Sequence, residues 1–508
     1  MTRAAMQLAS PGSPTTLVGW ALLVVVLLGT LPMLTSVIGY LLITRHGRHA
    51  HYDRADPAYL PRIAVLVPAW NEAPVLAFSI DRMMSLAYPA QRLRVVVVDD
   101  ASTDGTPELL RAKSERYPGR VVALRREQGG QGKAHTLNHG LRALLDDDWA
   151  QAVLITDADV VFRPDAVAQM ARHLADPSVG AVTAFIKEAS EPPNWMSRYI
   201  GYEYATAQLA ARRAQNVVGA QACLAGGAQL LSRENLDALG GRIDTTTLAE
   251  DTVTTLLTQV RGRRVVFDPN AVCLAEEPAS VVGLWKQRLR WSRGNLQVTR
   301  RFHSLFFRPH RGHHLGNPWF GLQWYATLLL PAFMVLVSVA LVLMWVFEAD
   351  ASRLLFMAYW AVCAFAFVFT TSFTLLLDRS IARRSWRQAV GFPGVISLTI
   401  IVYVIAPGPV ADLFRVACEA SGIAWSDRTR SLLALAAYVW TSLCMVAAWV
   451  VYRVDHVVAL RRFVPVLVAI VGFGPLLCAM TFAAYVAELR GAAATWDKTE
   501  KTGKVASA

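Results

Sequence analysis

Val153-Leu154-Ile155-Thr156-Asp157-Ala158-Asp159-Val160 is an apolar run that ends in two carboxylates spaced i, i+2. Its first three residues read as a buried strand. A buried strand has no ordinary use for two acids, because an isolated ionised carboxylate is costly to take out of water. The pair makes sense where a strand ends at an open site and the acids face a cation. A divalent metal that also holds a diphosphate is one such partner, since hard cations take oxygen ligands and share them with substrate phosphates. Taken alone, these eight residues also fit an Asx-rich turn after a strand. Other acidic strand ends in the same segment favour the site.

Outward from this stretch, residues 61–275 alternate short apolar runs with helix-like segments. Candidate strands lie at 63–67, 93–98, 121–124, 153–155 and 179–183, and residues 136–145 have helical spacing. Alternation of this kind predicts an α/β domain with a mostly parallel sheet covered by helices. In such sheets ligands sit beyond the carboxyl ends of the strands. Asn71-Glu72 follows the first candidate strand, Asp99-Asp100 the second, and Asp157 with Asp159 the fourth.

The flanks are of a different kind. The chain is 54% hydrophobic and only 17% charged, and its apolar residues are gathered into long runs. That pattern predicts a membrane protein. Residues 1–16 are a small polar tail, and residues 17–43 form an uncharged run. This exceeds the ~20 residues of a spanning helix. Its length and the lack of a small-x-small end argue against a signal peptide. Arg45, Arg48 and Arg54 follow it, against one Arg before it. The positive-inside rule therefore puts residues 55–278 in the cytoplasm. Residues 279–313 interleave Trp285, Leu289, Trp291 and Leu296 with Lys286, Arg288, Arg290, Arg293, Arg300 and Arg301, the mark of one or two amphipathic interface helices. Residues 317–487 hold about five span candidates, at 317–347, 354–377, 390–407, 431–452 and 463–487. The third carries Pro393, Gly394 and Pro407 and reads as broken or re-entrant. Glu348 and Asp350 are expected outside, and residues 488–508 are expected to be a disordered tail. The formal charge of +12 is clustered beside the apolar runs. This suits anionic lipid headgroups rather than nucleic acid. The six scattered cysteines show no Cys-x-x-Cys pair, so neither a disulfide framework nor a cysteine metal site is expected.

Two further groups carry chemistry. Glu250-Asp251 opens a helix-like stretch and serves either as an acidic helix start or as part of the site. Gln287, Arg290 and Trp291 share one face of a helix, which also fits a plain interfacial anchor. Together, Asp99-Asp100, Asp157-Ala158-Asp159, Glu250-Asp251 and Gln287-Arg288-Leu289-Arg290-Trp291 follow one another at wide spacing, between apolar runs. With Val67-Pro68-Ala69-Trp70-Asn71-Glu72, Gly132-Lys133-Ala134 and Cys223-Leu224-Ala225-Gly226-Gly227, the set resembles the processive family 2 glycosyltransferases. These are the synthases of cellulose, chitin, hyaluronan and poly-N-acetylglucosamine. The motif details are most similar to the bacterial poly-β-1,6-N-acetylglucosamine synthase subgroup.

The resemblance implies a Rossmann-like GT-A domain inserted between transmembrane helices, in the bacterial inner membrane with its catalytic side cytoplasmic. It implies a UDP-sugar donor, UDP-N-acetylglucosamine first among them, and a growing polysaccharide acceptor, with membrane lipids around the spans and accessory export subunits as further partners. It also implies roles. Asn71, Glu72, Asp99, Asp100 and Lys133 serve the donor, while Asp157 and Asp159 hold Mg²⁺ or Mn²⁺ on its diphosphate. Asp251 is the general base and Glu250 supports it. Gln287 and Arg290 contact the donor, and Trp291 with Gln287 the acceptor. A membrane glycosyltransferase that adds one sugar to a lipid is the alternative. A transporter with a degenerate nucleotide-binding domain fits less well, because the carboxylates are intact and the spans lack the buried ionisable groups of ion-coupled transport. A reporter fused at residue 55 is expected to read as cytoplasmic, and an external signal would invert this topology.

Overall fold

The computed structural model describes residues 16–49, 51–347 and 349–493. The expected tail at 1–15, the side chain of Glu348 and residues 494–508 lie outside the described residues. The described chain divides into two units. One comprises residues 39–321, 377–385 and 487–493, and the other residues 16–38, 322–376 and 386–486.

The first unit is built on an eight-stranded sheet. Its strands are β1 (Ile63–Ala69), β2 (Leu93–Asp99), β3 (Val121–Arg125), β4 (Ala152–Ile155), β5 (Val161–Phe162), β6 (Val179–Glu188), β7 (Gln229–Ser232) and β8 (Arg264–Ala275), in the order β3-β2-β1-β4-β7-β6-β8-β5. All five candidate strands are present. β1 and β2 alternate strictly between two cores. Ile63, Val65, Val67, Leu93, Val95 and Val97 face one, and Ala64, Leu66, Val96 and Val98 the other. A strand covered on both faces needs apolar residues at every position, which is why these runs are continuous in the sequence.

The sheet is mixed rather than mostly parallel. β3, β2, β1 and β4 run parallel, as do β6 and β8. β7 lies antiparallel to both β4 and β6, and β5 antiparallel to β8. The sequence did not announce β5, β7 or β8. β8 contains Asp268-Pro269-Asn270, and its register against β6 jumps from Ala184↔Asp268 to Phe185↔Val272. A bulge admits a proline that a regular ladder excludes.

The helix Lys133–Asp146 covers the second core with Leu137, Leu141 and Leu144. It approaches the sheet through Gly140, where a Cβ would stand 2.4 Å from Leu66 Cδ1 and 2.7 Å from Val98 Cγ2. The amphipathic segment is a single helix, Val281–Phe302. Residues 488–493 are not a free tail. Arg293 donates to Glu488 Oε1 at 2.7 Å and to the carbonyls of Ala492 (2.5 Å) and Ala493 (3.0 Å).

In the second unit the apolar runs are helices. Four described helices are long and apolar enough to cross a membrane: Leu17–Ile43, Leu330–Phe347, Asp350–Leu377 and Asp427–Asp455. Many of their large apolar side chains are exposed, Leu17, Val346, Leu376 and Leu432 among them. Such surface calls for lipid. The expected run 317–347 is divided into Pro318–Leu328 and Leu330–Phe347. Two further stretches are bent pairs. Arg379–Val390 with Val395–Ile405 bends by 81°, and Val458–Val471 with Phe473–Leu489 by 97°. The second bend falls inside the run expected to span at 463–487. The two breaks touch through glycines. A Cβ on Gly394 would lie 2.4 Å from the Val471 carbonyl carbon, and one on Gly472 would lie 2.3 Å from the Pro393 oxygen. Both glycines have positive φ, +85° and +107°, so the break needs glycine twice over.

Gly140→Ala is expected to cost about 1–3 kcal/mol through overpacking. Denaturant unfolding of the detergent-solubilised protein, followed by fluorescence, checks this. An unchanged midpoint would mean that Leu66 and Val98 simply move aside.

Candidate active site

The loops after β1 and β2 are stitched together at the carboxyl edge of the sheet. Asn71 stands in the left-handed region, φ +53°. Its backbone N–H donates to Ser102 Oγ at 2.9 Å, and its Oδ1 accepts from Thr103 N–H at 2.9 Å. The Glu72 N–H donates to Thr106 Oγ1 at 3.0 Å. Asp99 is 2% exposed. Its oxygens accept from Ser102 N–H (2.9 Å) and from Arg125 Nη1 (2.6 Å). Asp99 thus braces the loop from within, while the neighbouring Asp100 pairs with Arg126 and accepts from Gly130 N–H at 3.0 Å. Thr106, Arg125 and Arg126 were not singled out in the sequence. A run such as Ser102-Thr103-Asp104 signals turn chemistry, but only the fold reveals which loop it ties.

Lys133 opens its helix and points into a group of acids. Its Nζ lies 2.5 Å from Asp157 Oδ1 and 3.6 Å from Glu250 Oε1, and donates to the Gly226 carbonyl at 3.1 Å. Burial would lower the ammonium, but Asp157 and Glu250 outweigh it and hold the pKa above the usual lysine range. Burial pushes the Glu250 carboxyl up, against the pull of Lys133. Asp251 belongs to the same place. A Cβ on Gly226 would sit 3.1 Å from Asp251 Oδ2 and 3.6 Å from Lys133 Nζ, and one on Gly227 would sit 3.3 Å from Asp157 Oδ2. The Gly226-Gly227 backbone is therefore the floor between Asp157, Lys133 and Asp251. Hydroxyls hold that floor, with Thr156 Oγ1 donating to Gly227 O at 2.8 Å and Thr183 Oγ1 to Ala228 O at 3.0 Å.

Glu250 and Asp251 also form the first turn of the helix Glu250–Val260. Asp251 Oδ1 accepts from Thr252 N–H at 2.7 Å, which leaves Oδ2 turned toward Gly226. Among the described residues no three His, Cys, Asp or Glu side chains group as a metal cage. Asp157, with Oδ2 at the Gly226-Gly227 floor, offers the hard oxygen type that divalent cations take.

The helix Val281–Phe302 grips the domain mainly through Arg288 and Gln287. Arg288 is buried and bidentate on Glu203, Nε to Oε1 at 2.9 Å and Nη2 to Oε2 at 2.8 Å. It also donates to Gln287 Oε1. Gln287 Nε2 reaches Glu277 Oε2 at 3.2 Å, and the Tyr204 hydroxyl donates to Glu277 Oε1 at 2.7 Å. Gln287, expected at donor or acceptor, is here occupied within the domain. Arg290 is half-buried and Trp291 is 37% exposed. The Arg288 guanidinium lies 4.1 Å from the Trp291 ring centroid, a cation–π distance. Sequence reasoning missed Glu203, Tyr204 and Glu277. Glu276-Glu277 immediately follows β8, the same acid-at-strand-end signal that marked the other sites, but β8 itself was not recognised. Glu188, the last residue of β6, is pushed up to about 7 by burial, with Glu277 adding to the effect.

The segment 61–294 matches the model of the "Glycosyltransferase like family 2" family. The chain is 29% identical over 293 residues to "Probable glycosyltransferase YdaM" of Bacillus subtilis (strain 168), covering 56% of this chain and 69% of that protein. It is 28% identical over 265 residues to the poly-beta-1,6-N-acetyl-D-glucosamine synthase of Staphylococcus aureus, covering 52% and 62%. The chain thus spans about two thirds of the length of these relatives. Among solved structures it is similar to the mannosyltransferase PcManGT from Pyrobaculum calidifontis in complex with GDP-Man and Mn2+. The TM-score is 0.53 at 26% identity, over 70% of this chain and 96% of that one.

Replacing Glu203 by Leu strands a buried guanidinium, and is expected to cost about 3–5 kcal/mol. Adding Arg288→Met is expected to recover most of that loss in the same unfolding measurement. No recovery would mean that the pair is not the source of the cost.

Proposed function

Residues 61–294 being a glycosyltransferase domain of family 2, we propose that the chain is a processive, inverting β-glycosyltransferase. It polymerises N-acetylglucosamine from UDP-N-acetylglucosamine and passes the polysaccharide across the membrane. The convergence of Lys133, Asp157, Glu250 and Asp251 on the Gly226-Gly227 backbone carries this reading. It puts a fixed cation and a carboxylate oxygen within one small site at the carboxyl edge of the sheet.

The residues divide the work. Asn71, Glu72 and Asp100 contact the nucleoside of the donor. Lys133 and Arg290 offset the charge of its diphosphate, where cations aimed at a leaving group lower the barrier. Asp157 and Asp159 hold Mg²⁺ or Mn²⁺, a Lewis acid that supports departure of the nucleoside diphosphate. Asp251 Oδ2 takes the proton from the acceptor hydroxyl. The acceptor's hydroxyl oxygen, freed of its proton, bonds to the anomeric carbon as the bond to the diphosphate breaks, and an α-linked donor becomes a β-linked product. Glu250 lies beside the base and tunes it. Trp291 stacks on the acceptor sugar, with Gln287 nearby. In this reading the domain is cytoplasmic, the spans lie in a bacterial-type inner membrane and export subunits accompany the chain. The synthase of Staphylococcus aureus supports the sugar and its polymer. A GDP-linked donor is the second reading, supported by GDP-Man in PcManGT.

The test is nucleotide release by the purified, detergent-solubilised protein with Mg²⁺ or Mn²⁺, offered UDP-N-acetylglucosamine, UDP-glucose, UDP-glucuronate and GDP-mannose in turn. Turnover of the first is expected, with a product cut by a β-1,6-specific hydrolase and activity lost reversibly in EDTA. Asp251→Asn should lower turnover about 10²–10⁴-fold while UDP still binds. Normal polymerisation by that variant would remove Asp251 as the base. Turnover of GDP-mannose alone would establish the second reading.

A further inference from the structure

The helix that begins at Lys133 buries Leu137, Leu141 and Leu144. Its outer face carries His135, His139 and Arg142 at i, i+4 and i+7, a single stripe of the helix. With Arg126, Arg242 and Asp146 they line a cleft of about 620 Å³, within the ~300–1,000 Å³ of small-molecule sites. The far wall is fixed. Asn138 on the same helix donates to Ile243 O at 2.8 Å and accepts from Ile243 N–H at 2.7 Å, so the loop bearing Arg242 is held against it.

Charge is unbalanced there. Arg125, Arg172, Arg233 and Arg288 each hold a carboxylate. Arg142 and Arg242 have no ion-pair partner among the described residues. Asp146 is the one acid in the lining. Arg126 stands between the cleft and Asp100. One end pairs with Asp100, and Nη2 donates to Gln131 Oε1 at 2.5 Å.

We propose that this cleft binds a phosphate-bearing anion at a site separate from the donor's and coupled to it through Arg126. Guanidinium forks converging from two walls suit phosphate oxygens, which they take in pairs. An anion seated there competes with Asp100 for Arg126. Asp100 then loses the cation that orients it, and donor affinity falls. Linkage is reciprocal, so the donor weakens the anion by the same factor. The coupling, though not the cleft, rests on the donor role proposed above for Asp100.

The experiment uses the full chain in detergent with excess Mg²⁺, both without UDP and saturated with UDP so that the donor site is filled. ATP and inorganic triphosphate are titrated separately by calorimetry, into the wild type and into Arg142→Ala/Arg242→Ala. The wild type is expected to bind, and the double variant to bind about tenfold more weakly or worse, with its UDP affinity unchanged. Equal binding of both probes identifies phosphate as the recognised group, and binding of ATP alone identifies a nucleotide. No binding by the wild type either with or without UDP, or equal binding by the variant, overturns the site. A UDP affinity that inorganic triphosphate leaves unmoved overturns the coupling. A wild type that takes no UDP but still binds triphosphate through these arginines keeps the cleft and defeats the donor reading instead.

Discussion

A buried ammonium among carboxylates organises the catalytic edge of this domain. Lys133 Nζ lies 2.5 Å from Asp157 and 3.6 Å from Glu250. Neither sign of charge could be kept there alone, since desolvating an unpaired ion costs several kcal/mol. The acids therefore need the lysine and the lysine needs the acids. Because they come from different elements, the pairing also fixes the end of β4, the start of the helix Lys133–Asp146 and the start of the helix Glu250–Val260 relative to one another. The Gly226-Gly227 backbone fits beneath them because it carries no side chain.

A second buried pair does the same for the helix Val281–Phe302. Glu203 and Arg288 form a bidentate bridge, with Tyr204, Glu277 and Gln287 hydrogen-bonded beside it. The bridge sets the rotation of the helix Val281–Phe302. That rotation buries Gln287 and leaves Trp291 half in solvent with Arg288 beneath its ring. An aromatic ring held from below and open above suits stacking on a sugar. Glu203 lies in the last turn of the helix Trp195–Tyr204, which continues as a π-helical turn, Ala205–Ala210, a geometry common near functional sites.

In the helical unit the constraint is steric. Gly394 and Gly472 meet at distances no side chain would tolerate, and Gly474 N–H donates to Phe392 O at 3.1 Å. Broken backbone at membrane depth must find partners within the protein. Here two breaks are packed against each other, and one supplies a donor to the other.

Much of this was legible from residue order. Continuous apolar runs marked β1, β2 and β4, because a doubly covered strand tolerates nothing else. The acids at the ends of those runs marked the carboxyl edge of the sheet, and long uncharged runs marked the helices suited to a membrane. The strands β5, β7 and β8 were not legible. β7 is four residues long and β8 is interrupted by Pro269, so neither offers a clean period. Nor could the sequence divide its acids by task. Asp99 and Asp100 are adjacent, yet one braces a loop with Arg125 and the other meets Arg126. The same holds for Arg288 and Arg290, two residues apart, of which only the first is buried on Glu203. The sequence by itself determined which side chains can carry charge and where the strands end, because those depend on local pattern. Only the tertiary structure decided which charges neutralise one another, because that depends on contacts between residues such as Arg288 and Glu203, 85 positions apart.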